Sequence, residues 1–428
     1  MIRTHYFKEV ERKDYGKEVV LAGWAHSIRV LGKIAFIKLR DITGVSQIAI
    51  PSSNSNFELV KSITPESVLA VKGTVKENEK SLTGWELIPN EIQVLNKAEV
   101  PLPLDISGKI DSELETRLSN RFMDLRQDKI KAIFLIRDAV LTALRNYSES
   151  KGFVEVHTPK IVGSGAEGGA TLFEVDYFGK KAFLSQSPQL YKQELMSTGF
   201  DKVYEIGNYF RAEKSDTSRH VAEFTMWDVE FAFIDSQEDV MKFLEEGVVS
   251  VYSHVKEKCS DELKILGIDL QVPSVHFPRI TYSEAVELLG KKIGDEIGTE
   301  DEKKLGELIK KEKGSDFFFL TGFPEDEKPF YIMESGEGFS CSFDLEQDGQ
   351  ELTSGGQREH RHDVLIERMK KKGLNPENFK DYLEAFKFGM PPHGGFGLGV
   401  DRLVQKMLGI SNIREVVLHP RDLKRIKP

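Results

Sequence analysis

Tyr204-Glu205-Ile206-Gly207-Asn208-Tyr209-Phe210-Arg211-Ala212-Glu213 alternates apolar and polar residues, then gives way to the polar run Lys214-Ser215-Asp216-Thr217-Ser218. After Arg219-His220-Val221, the alternation resumes as Phe224-Thr225-Met226-Trp227-Asp228-Val229-Glu230-Phe231-Ala232-Phe233. A period of two on both sides of a polar break predicts two long strands joined by a loop. Arg211 then stands at the end of the first strand and Arg219-His220 at the loop exit. Guanidinium is permanently charged and forks onto phosphate oxygens, so these residues could clamp a polyphosphate. On its own the pattern describes a solvated charged hairpin equally well, and the rest of the chain has to decide.

Towards the C-terminus, Asp344 and Glu351 lie seven apart across a turn containing Gly349, followed by Thr353-Ser354-Gly355-Gly356-Gln357-Arg358-Glu359-His360. Two carboxylates and a hydroxyl beside phosphate-binding arginines suit a hard divalent cation such as magnesium. The same residues also read as a turn with solvated acids. The chain then reaches Pro391-Pro392-His393-Gly394-Gly395-Phe396-Gly397-Leu398-Gly399-Val400-Asp401-Arg402. Glycines at alternate positions predict a strand that something flat approaches closely. A glycine-rich strand leading into a helix is a weak dinucleotide signal. Here the spacing is wrong for a Rossmann turn, and no strand–helix–strand repeat surrounds it.

Upstream, residues 17–100 predict an all-β domain with strands at 18–24, 34–40, 45–50, 68–75 and 85–95. Five short strands in so short a span suggest the five-stranded oligonucleotide-binding (OB) barrel. In it Phe36 is a candidate base-stacking platform and Gln47 a candidate base-edge reader, though each fits an ordinary strand position. Pro101-Leu102-Pro103-Leu104 stiffens the chain as a linker would. The charged run 105–128 is expected to be a hinge, and a helix is expected over about 129–150, with Gly152 as its left-handed cap. Phe153–Pro159 and Ala182-Phe183-Leu184-Ser185-Gln186 read as strands, and Ser187-Pro188-Gln189-Leu190-Tyr191-Lys192-Gln193 as a helix start. Between them, the glycine-rich loop Gly163–Ala170 carries Glu167 and reads as a ligand-closing loop or a plain connector. Residues 235–330 are expected to form an insertion without chemistry, and Pro329–Met333 a further strand.

Composition fits a soluble multidomain protein: 428 residues, 39% apolar and 30% charged. No apolar run is long enough to span a bilayer, and the first residues lack a signal-peptide core, so a cytoplasmic protein without a membrane partner is expected. Cys259 and Cys341 form neither a disulfide framework nor a zinc set. A net charge of −10 argues against a generic nucleic-acid coat but allows a specific nucleic-acid partner.

Taken together, three elements resemble, in order and spacing, the signature motifs of class II aminoacyl-tRNA synthetases. The helix and strand ending at Pro159 resemble the first, Phe210-Arg211-Ala212-Glu213 with Arg219-His220 the second, and Gly397-Leu398-Gly399-Val400-Asp401-Arg402 the third. The N-terminal barrel is similar to the anticodon-binding domain of the aspartate/asparagine/lysine subgroup, and the closest likeness is to its archaeal-type aspartyl branch. The resemblance implies an α+β multidomain fold, with an OB barrel over 1–104, a hinge over 105–128 and a catalytic domain over 129–428. In the latter an antiparallel sheet is flanked by helices. It also implies a homodimer that uses ATP and Mg2+ to activate L-aspartate and charge tRNA(Asp).

Residue by residue, the resemblance implies that Arg211 and Arg402 are catalytic. ATP would lie against Arg211, Ala212, Glu213, Arg219, His220, Val221, Glu351, Gly399, Val400, Asp401 and Arg402. Aspartate would be held by Glu167, Gln186, Gln189, Lys192, Arg211, Asp228, Ser354 and Arg358. Within that set Lys192 and Arg358 would face its side-chain carboxylate. Magnesium would take Asp344, Glu351 and Ser354. The anticodon would meet His26, Phe36 and Gln47. Relatives with strict tRNA choice tend to carry Trp where this chain has His26, so charging of tRNA(Asn) as well is expected. Asp401 departs from the Glu more usual in the third motif, but keeps the acid. Two rival readings are an asparaginyl-tRNA synthetase, against which Lys192 argues, and a non-catalytic RNA-binding paralogue, against which the retained arginines and metal acids argue.

Overall fold

The computed structural model describes residues 2–428 apart from 82, 109, 166–170 and 215–216. Glu167 therefore lies outside the described residues. The chain forms two compact units, Met1–Asp105 and Ile106–Pro428.

The first unit is a closed barrel of Glu18–Leu31, Ile34–Asp41, Gly44–Pro51, Val68–Glu77 and Trp85–Asn96. Its strands are those expected, except that the first runs on to Leu31. Arg29, Val30 and Leu31 continue the ladder opposite Phe36, Ala35 and Ile34, so backbone pairing extends the strand beyond its apolar stretch. Ala35, Ile37 and Leu39 point inward and are buried, leaving Phe36 and Lys38 half-exposed on the outer face. That alternation follows from the period of two.

The second unit is built on an eight-stranded sheet. From edge to edge the strands are Arg279–Thr281, Phe317–Thr321, Ser342–Gln347, Glu351–Gln357, His393–Gly399, Glu223–Ala232, Lys202–Phe210 and Val154–Glu155. The interior pairs are antiparallel, and the outermost pair at each edge is parallel. One face packs on helices. Trp227, Val229, Phe396 and Leu398 join Ile136, Val140 and Leu144 of the Asp128–Ser150 helix in one core, with Val240, Leu244 and Val248 of the Gln237–Lys258 helix. The Asp128–Ser150 helix and the positive φ at Gly152 match expectation.

Four expectations need correction. Residues 235–330 are not a separate insertion. Their strands Arg279–Thr281 and Phe317–Thr321 belong to the main sheet, and Val240, Leu244, Phe317 and Phe319 belong to its core. Nor is 105–128 a free hinge within the second unit. Arg121 is 1% exposed and donates to Leu418 O at 3.0 Å, Glu415 O at 3.0 Å and Val417 O at 3.1 Å, while Asp124 pairs with Arg121 and Arg117. Charged residues of the expected hinge are buried pairing groups. Finally, Pro329–Met333 makes only an isolated bridge between Ile332 and Arg358, and Phe330, Tyr331 and Ile332 instead fill a core cluster with Leu365, Phe379 and Tyr382. The strand expected over Phe153–Pro159 is confined to Val154–Glu155. Among the described residues, no helix is long and apolar enough to cross a membrane.

Candidate active site

The sheet face away from the helices carries a row of residues in register across five strands. Asp344 pairs with Ser354, Ser354 with Gly397, Gly397 with Asp228, and Asp228 with Glu205. Residues far apart in the chain thus stand side by side, because cross-strand neighbours are about 5 Å apart. Above this face lies a cavity of about 480 Å³.

The hairpin and the glycine strand supply most of its wall. Arg211, Glu213, Arg219, His220 and Val221 line it from the Lys202–Phe210/Glu223–Ala232 connection, and Gly397, Gly399, Asp401 and Arg402 from the glycine strand and the following helix. Gln189, Asp228, Glu351, Ser354 and Arg358 also line it. The Arg211 guanidinium sits 5.3 Å from the centre of the Phe224 ring, within cation–π range. Arg402 donates to Glu351 O at 3.0 Å and lies 3.7 Å from its carboxylate. Burial pushes the His220 imidazole below its usual range, reinforced by Arg402, so at neutral pH it is an uncharged hydrogen-bonding group.

The glycines have separate reasons. A β-carbon on Gly395 would stand 2.0 Å from Val229 O and 2.2 Å from Glu230 Oε2, so this glycine makes room for Glu230. On Gly397 it would meet Met226 Cε at 2.5 Å and Asp228 Oδ1 at 3.1 Å, at the cavity floor. Only the latter fits the expected approach of a flat ligand.

Beside the floor is a buried charge cluster that reaches the cavity through Asp228 and Arg358. Lys192 donates to Asp228 Oδ1 at 3.1 Å and Phe396 O at 2.9 Å, and lies 3.4 Å from Glu230. Arg358 forks onto Glu230 through Nε at 2.9 Å and Nη2 at 3.2 Å. Burial alone would raise the Glu230 carboxyl; Arg358 and Lys192 overcome this and hold it below the ordinary carboxylate range. A second buried network orients Gln189. His393 Nδ1 donates to Pro391 O at 2.8 Å, so Nε2 accepts from the Gln193 amide at 3.1 Å. Gln193 Oε1 in turn accepts from Gln189 Nε2 at 2.9 Å and from the Tyr382 hydroxyl at 3.2 Å. Burial pushes the His393 imidazole down to about 4, which keeps it neutral and this polarity fixed.

Several expected residues are set back from the cavity or are engaged by other partners. Lys192 sits one layer below the cavity wall, which it reaches through Asp228. Val400 is fully buried in the helix-side core. Ala212 is tied by its amide to Thr171 O at 2.9 Å. Gln186 lines a separate cavity of about 190 Å³ and donates to Thr171 Oγ1 at 2.7 Å. The Asp401 carboxylate accepts from Thr225 N at 2.8 Å and Arg137 at 2.9 Å, bracing the glycine strand against its neighbour. Asp344 is buried behind Lys328, whose ammonium lies 3.0 and 2.8 Å from its two oxygens. Burial raises the Asp344 carboxyl, with Lys328 opposing and Glu351 adding to the rise. Glu230 and Lys328 carried no local sequence signal; each is defined by partners distant in the chain.

In the barrel, His26 occupies an irregularity of the first strand, where the register shifts between Ala25 and Ser27. Arg40 donates to His26 Nδ1 at 3.0 Å and forks onto Glu66 at 3.1 and 2.6 Å. A guanidinium only donates, so Nδ1 accepts and the ring proton lies on Nε2. Gln47 and Phe36 share the outer face, with Gln47 opposite Lys38 and donating to Glu86 at 3.3 Å.

Known proteins resemble this chain over both units. The family described as class II tRNA synthetases (D, K and N) matches residues 113–423, and the OB-fold nucleic acid binding domain matches residues 19–95. The aspartate–tRNA(Asp) ligase of Pyrococcus abyssi is 49% identical over the whole of both chains. The aspartate–tRNA(Asp/Asn) ligase of Methanopyrus kandleri is 48% identical, again over the whole of both. Among solved structures, asparaginyl-tRNA synthetase from Pyrococcus horikoshii in complex with asparaginyl-adenylate superposes with a TM-score of 0.93 at 33% identity, covering 100% of each chain. Aspartyl-tRNA synthetase from Entamoeba histolytica gives a TM-score of 0.88 at 33% identity, covering 99% of this chain and 92% of the other. The chain belongs to the class II tRNA synthetases of the D, K and N group.

Proposed function

We propose that this chain is an aspartate–tRNA ligase that activates L-aspartate with ATP and charges tRNA(Asp) and also tRNA(Asn). The observation that carries the activation step is the convergence of Arg211, Arg219 and Arg402 on one cavity floored by Gly397 and Gly399. Adenylate formation is in-line attack of a carboxylate on the α-phosphate. It needs no protein nucleophile, only positioning and charge stabilisation. Arg211 would hold the attacking carboxylate against the α-phosphate, Arg402 and Arg219 the outer phosphates, and Glu213 the adenine side. The glycine floor admits the nucleotide.

The choice of aspartate is supported by the nearly half-identical, full-length likeness to aspartate–tRNA ligases and by Arg358 and Lys192, both almost wholly buried. A carboxylate suits two buried cations, whereas an amide would leave charge uncompensated, at about 3–5 kcal/mol for a broken buried pair. Gln189 and Asp228 would hold the amino end, with Ser354 nearby.

Magnesium fits Asp344 and Glu351. Among the described residues no cluster of three or more His, Cys, Asp or Glu has a metal-holding arrangement, and magnesium commonly binds through one or two carboxylates plus substrate phosphates. When bound it would neutralise phosphate charge. In the barrel, Phe36 and Gln47 would stack on and read anticodon bases. His26 would present an Nε2–H donor to the last anticodon base, which is cytosine in tRNA(Asp) and uracil in tRNA(Asn). Both pyrimidines carry an O2 acceptor, so this donor suits both. The homodimer would use the surface around the Asp128–Ser150 helix and Val154.

The deciding experiment charges purified tRNA(Asp) and tRNA(Asn) side by side, with pyrophosphate exchange on aspartate and asparagine as the control. Charging of tRNA(Asn) below about one-hundredth of tRNA(Asp), a gap of about 2.7 kcal/mol, would end the dual-specificity reading. Near-normal exchange in Arg211→Ala would end the activation reading.

A further inference from the structure

Lys328 follows the short turn Glu325–Glu327, in the stretch where the sequence suggested no chemistry. It lines the cavity alongside Arg211, Arg219 and Arg402. Its ammonium straddles Asp344, 3.0 Å from one carboxylate oxygen and 2.8 Å from the other. It also lies 3.7 Å over the centre of the buried Phe323 ring. Both members of the pair are largely shielded, with side chains 13% and 10% exposed.

The arrangement matches two weaker ones at the same site. Arg402 lies 3.7 Å from the Glu351 carboxylate, and Arg219 lies 3.8 Å from Glu302. Each of these three cavity cations therefore stands beside a carboxylate. The Lys328 pair is the shortest of the three, and its acid is one of the two that fit magnesium. A metal ion and an ammonium cannot share both oxygens of one carboxylate, because like charges a few ångström apart repel strongly where water is scarce. Lysine is suited to exchange of partners. Its charge is compact, its stem is flexible, and its three donors need no fixed fork. The Phe323 ring supports the head of the side chain at the cavity edge.

Resting on the proposed reading of the site, we infer that Lys328 is an exchangeable counter-ion. It holds Asp344 while nucleotide is absent, yields that carboxylate to magnesium, and carries its own charge to the phosphate oxygens. The exchange makes metal and nucleotide binding mutually reinforcing. The metal releases a cation that the phosphates use, and linkage requires the converse to hold equally. A purely structural Lys328 would only hold Asp344 in place, and its loss would weaken metal binding.

The test is Lys328→Met, which keeps the length and the apolar stem against Phe323. Binding of Mn2+ alone, followed by electron paramagnetic resonance at pH 8.5, is expected to tighten in the variant. Binding of a non-hydrolysable ATP analogue with Mg2+, followed by calorimetry, is expected to weaken. The metal–nucleotide coupling, expected at roughly tenfold in the parent, should fall towards one. Lys328→Arg should keep part of it. Weaker Mn2+ binding in Lys328→Met, or unchanged coupling, overturns the inference. If Lys328→Met does not fold, Asp344→Asn decides. Releasing Lys328 from its partner should tighten binding of the metal-free analogue, and unchanged or weaker binding overturns the inference. Pyrophosphate exchange by the parent separates the two readings. If aspartate gives none while the couplings behave as stated, the substrate assignment fails and the counter-ion inference stands.

Discussion

Replacing Glu230 by glutamine probes the charge cluster beside the cavity without changing its shape. Glu230 is 0% exposed, takes two hydrogen bonds from Arg358 at 2.9 and 3.2 Å, and lies 3.4 Å from Lys192. The amide leaves Arg358 and Lys192 with Asp228 as the nearest remaining counter-charge and turns an N–H towards other donors. Removing one partner of a buried pair costs about 3–5 kcal/mol. At about 2 °C per kcal/mol for a large domain, the melting temperature should fall by about 6–10 °C. The pH dependence has a definite sign. The Glu230 carboxyl is held below its ordinary value, so its contribution is present above the unfolded value of about 4.3 and is lost as pH falls through the folded value. Parent and variant should therefore converge in acid. Substrate gives a sharper check, because saturating L-aspartate brings a carboxylate to two under-compensated cations. It should raise the melting temperature of Glu230→Gln more than that of the parent, while L-asparagine should not. Differential scanning fluorimetry from pH 3 to 8, with and without each amino acid, reads all three. A variant that melts within about 2 °C of the parent at pH 7, or that asparagine rescues as well as aspartate, refutes the reasoning.

Four other substitutions separate parts of the molecule. Gly395→Ala drives a β-carbon to 2.0 Å from a backbone oxygen and should unfold the second unit or cost more than about 4 kcal/mol, read by chemical denaturation. Gly397→Ala meets the flexible end of Met226 and should keep its stability while raising the KM for ATP about tenfold, a loss of about 1.4 kcal/mol. Glu346→Gln should stabilise at high pH. Burial and the nearby Glu302, Glu351 and Asp344 carboxylates raise the Glu346 carboxyl, so the parent loses that contribution as pH rises through the folded value. The difference in unfolding free energy should grow in the variant's favour from pH 5 to 9, reaching about 1–3 kcal/mol. Arg40→Met releases His26 from its fixed tautomer and should reduce charging of both tRNAs, read as kcat/KM, with amino-acid activation unchanged.

Much of this protein can be read from local pattern. Apolar runs between turn signals gave the barrel strands, period-two alternation gave the hairpin around Arg211, and helical periodicity gave Asp128–Ser150 within a residue. These patterns are local because one face of each element meets water and the other a core. The arginines, the acids Asp344 and Glu351 and the alternating glycines were visible as residues in motifs, and the cavity gathers most of them. Reading failed where partners are remote. The charged run 105–128 looked like a hinge because its acceptors lie near residues 415–418. The segment 235–330 looked independent because its strands complete a sheet begun elsewhere.

The hairpin ending in Arg211 therefore announced by itself a charged strand end, a loop and a second strand, since those depend on side-chain alternation along one stretch. Tertiary structure alone decided what stands beside it. The register that aligns Asp344, Ser354, Gly397, Asp228 and Glu205 in one row is fixed by hydrogen bonding between strands distant in the chain. Only that register sets Glu230 under Gly395, Lys192 beside the floor and Lys328 on Asp344. Charge compensation depends on distances in space, and sequence spacing does not encode them.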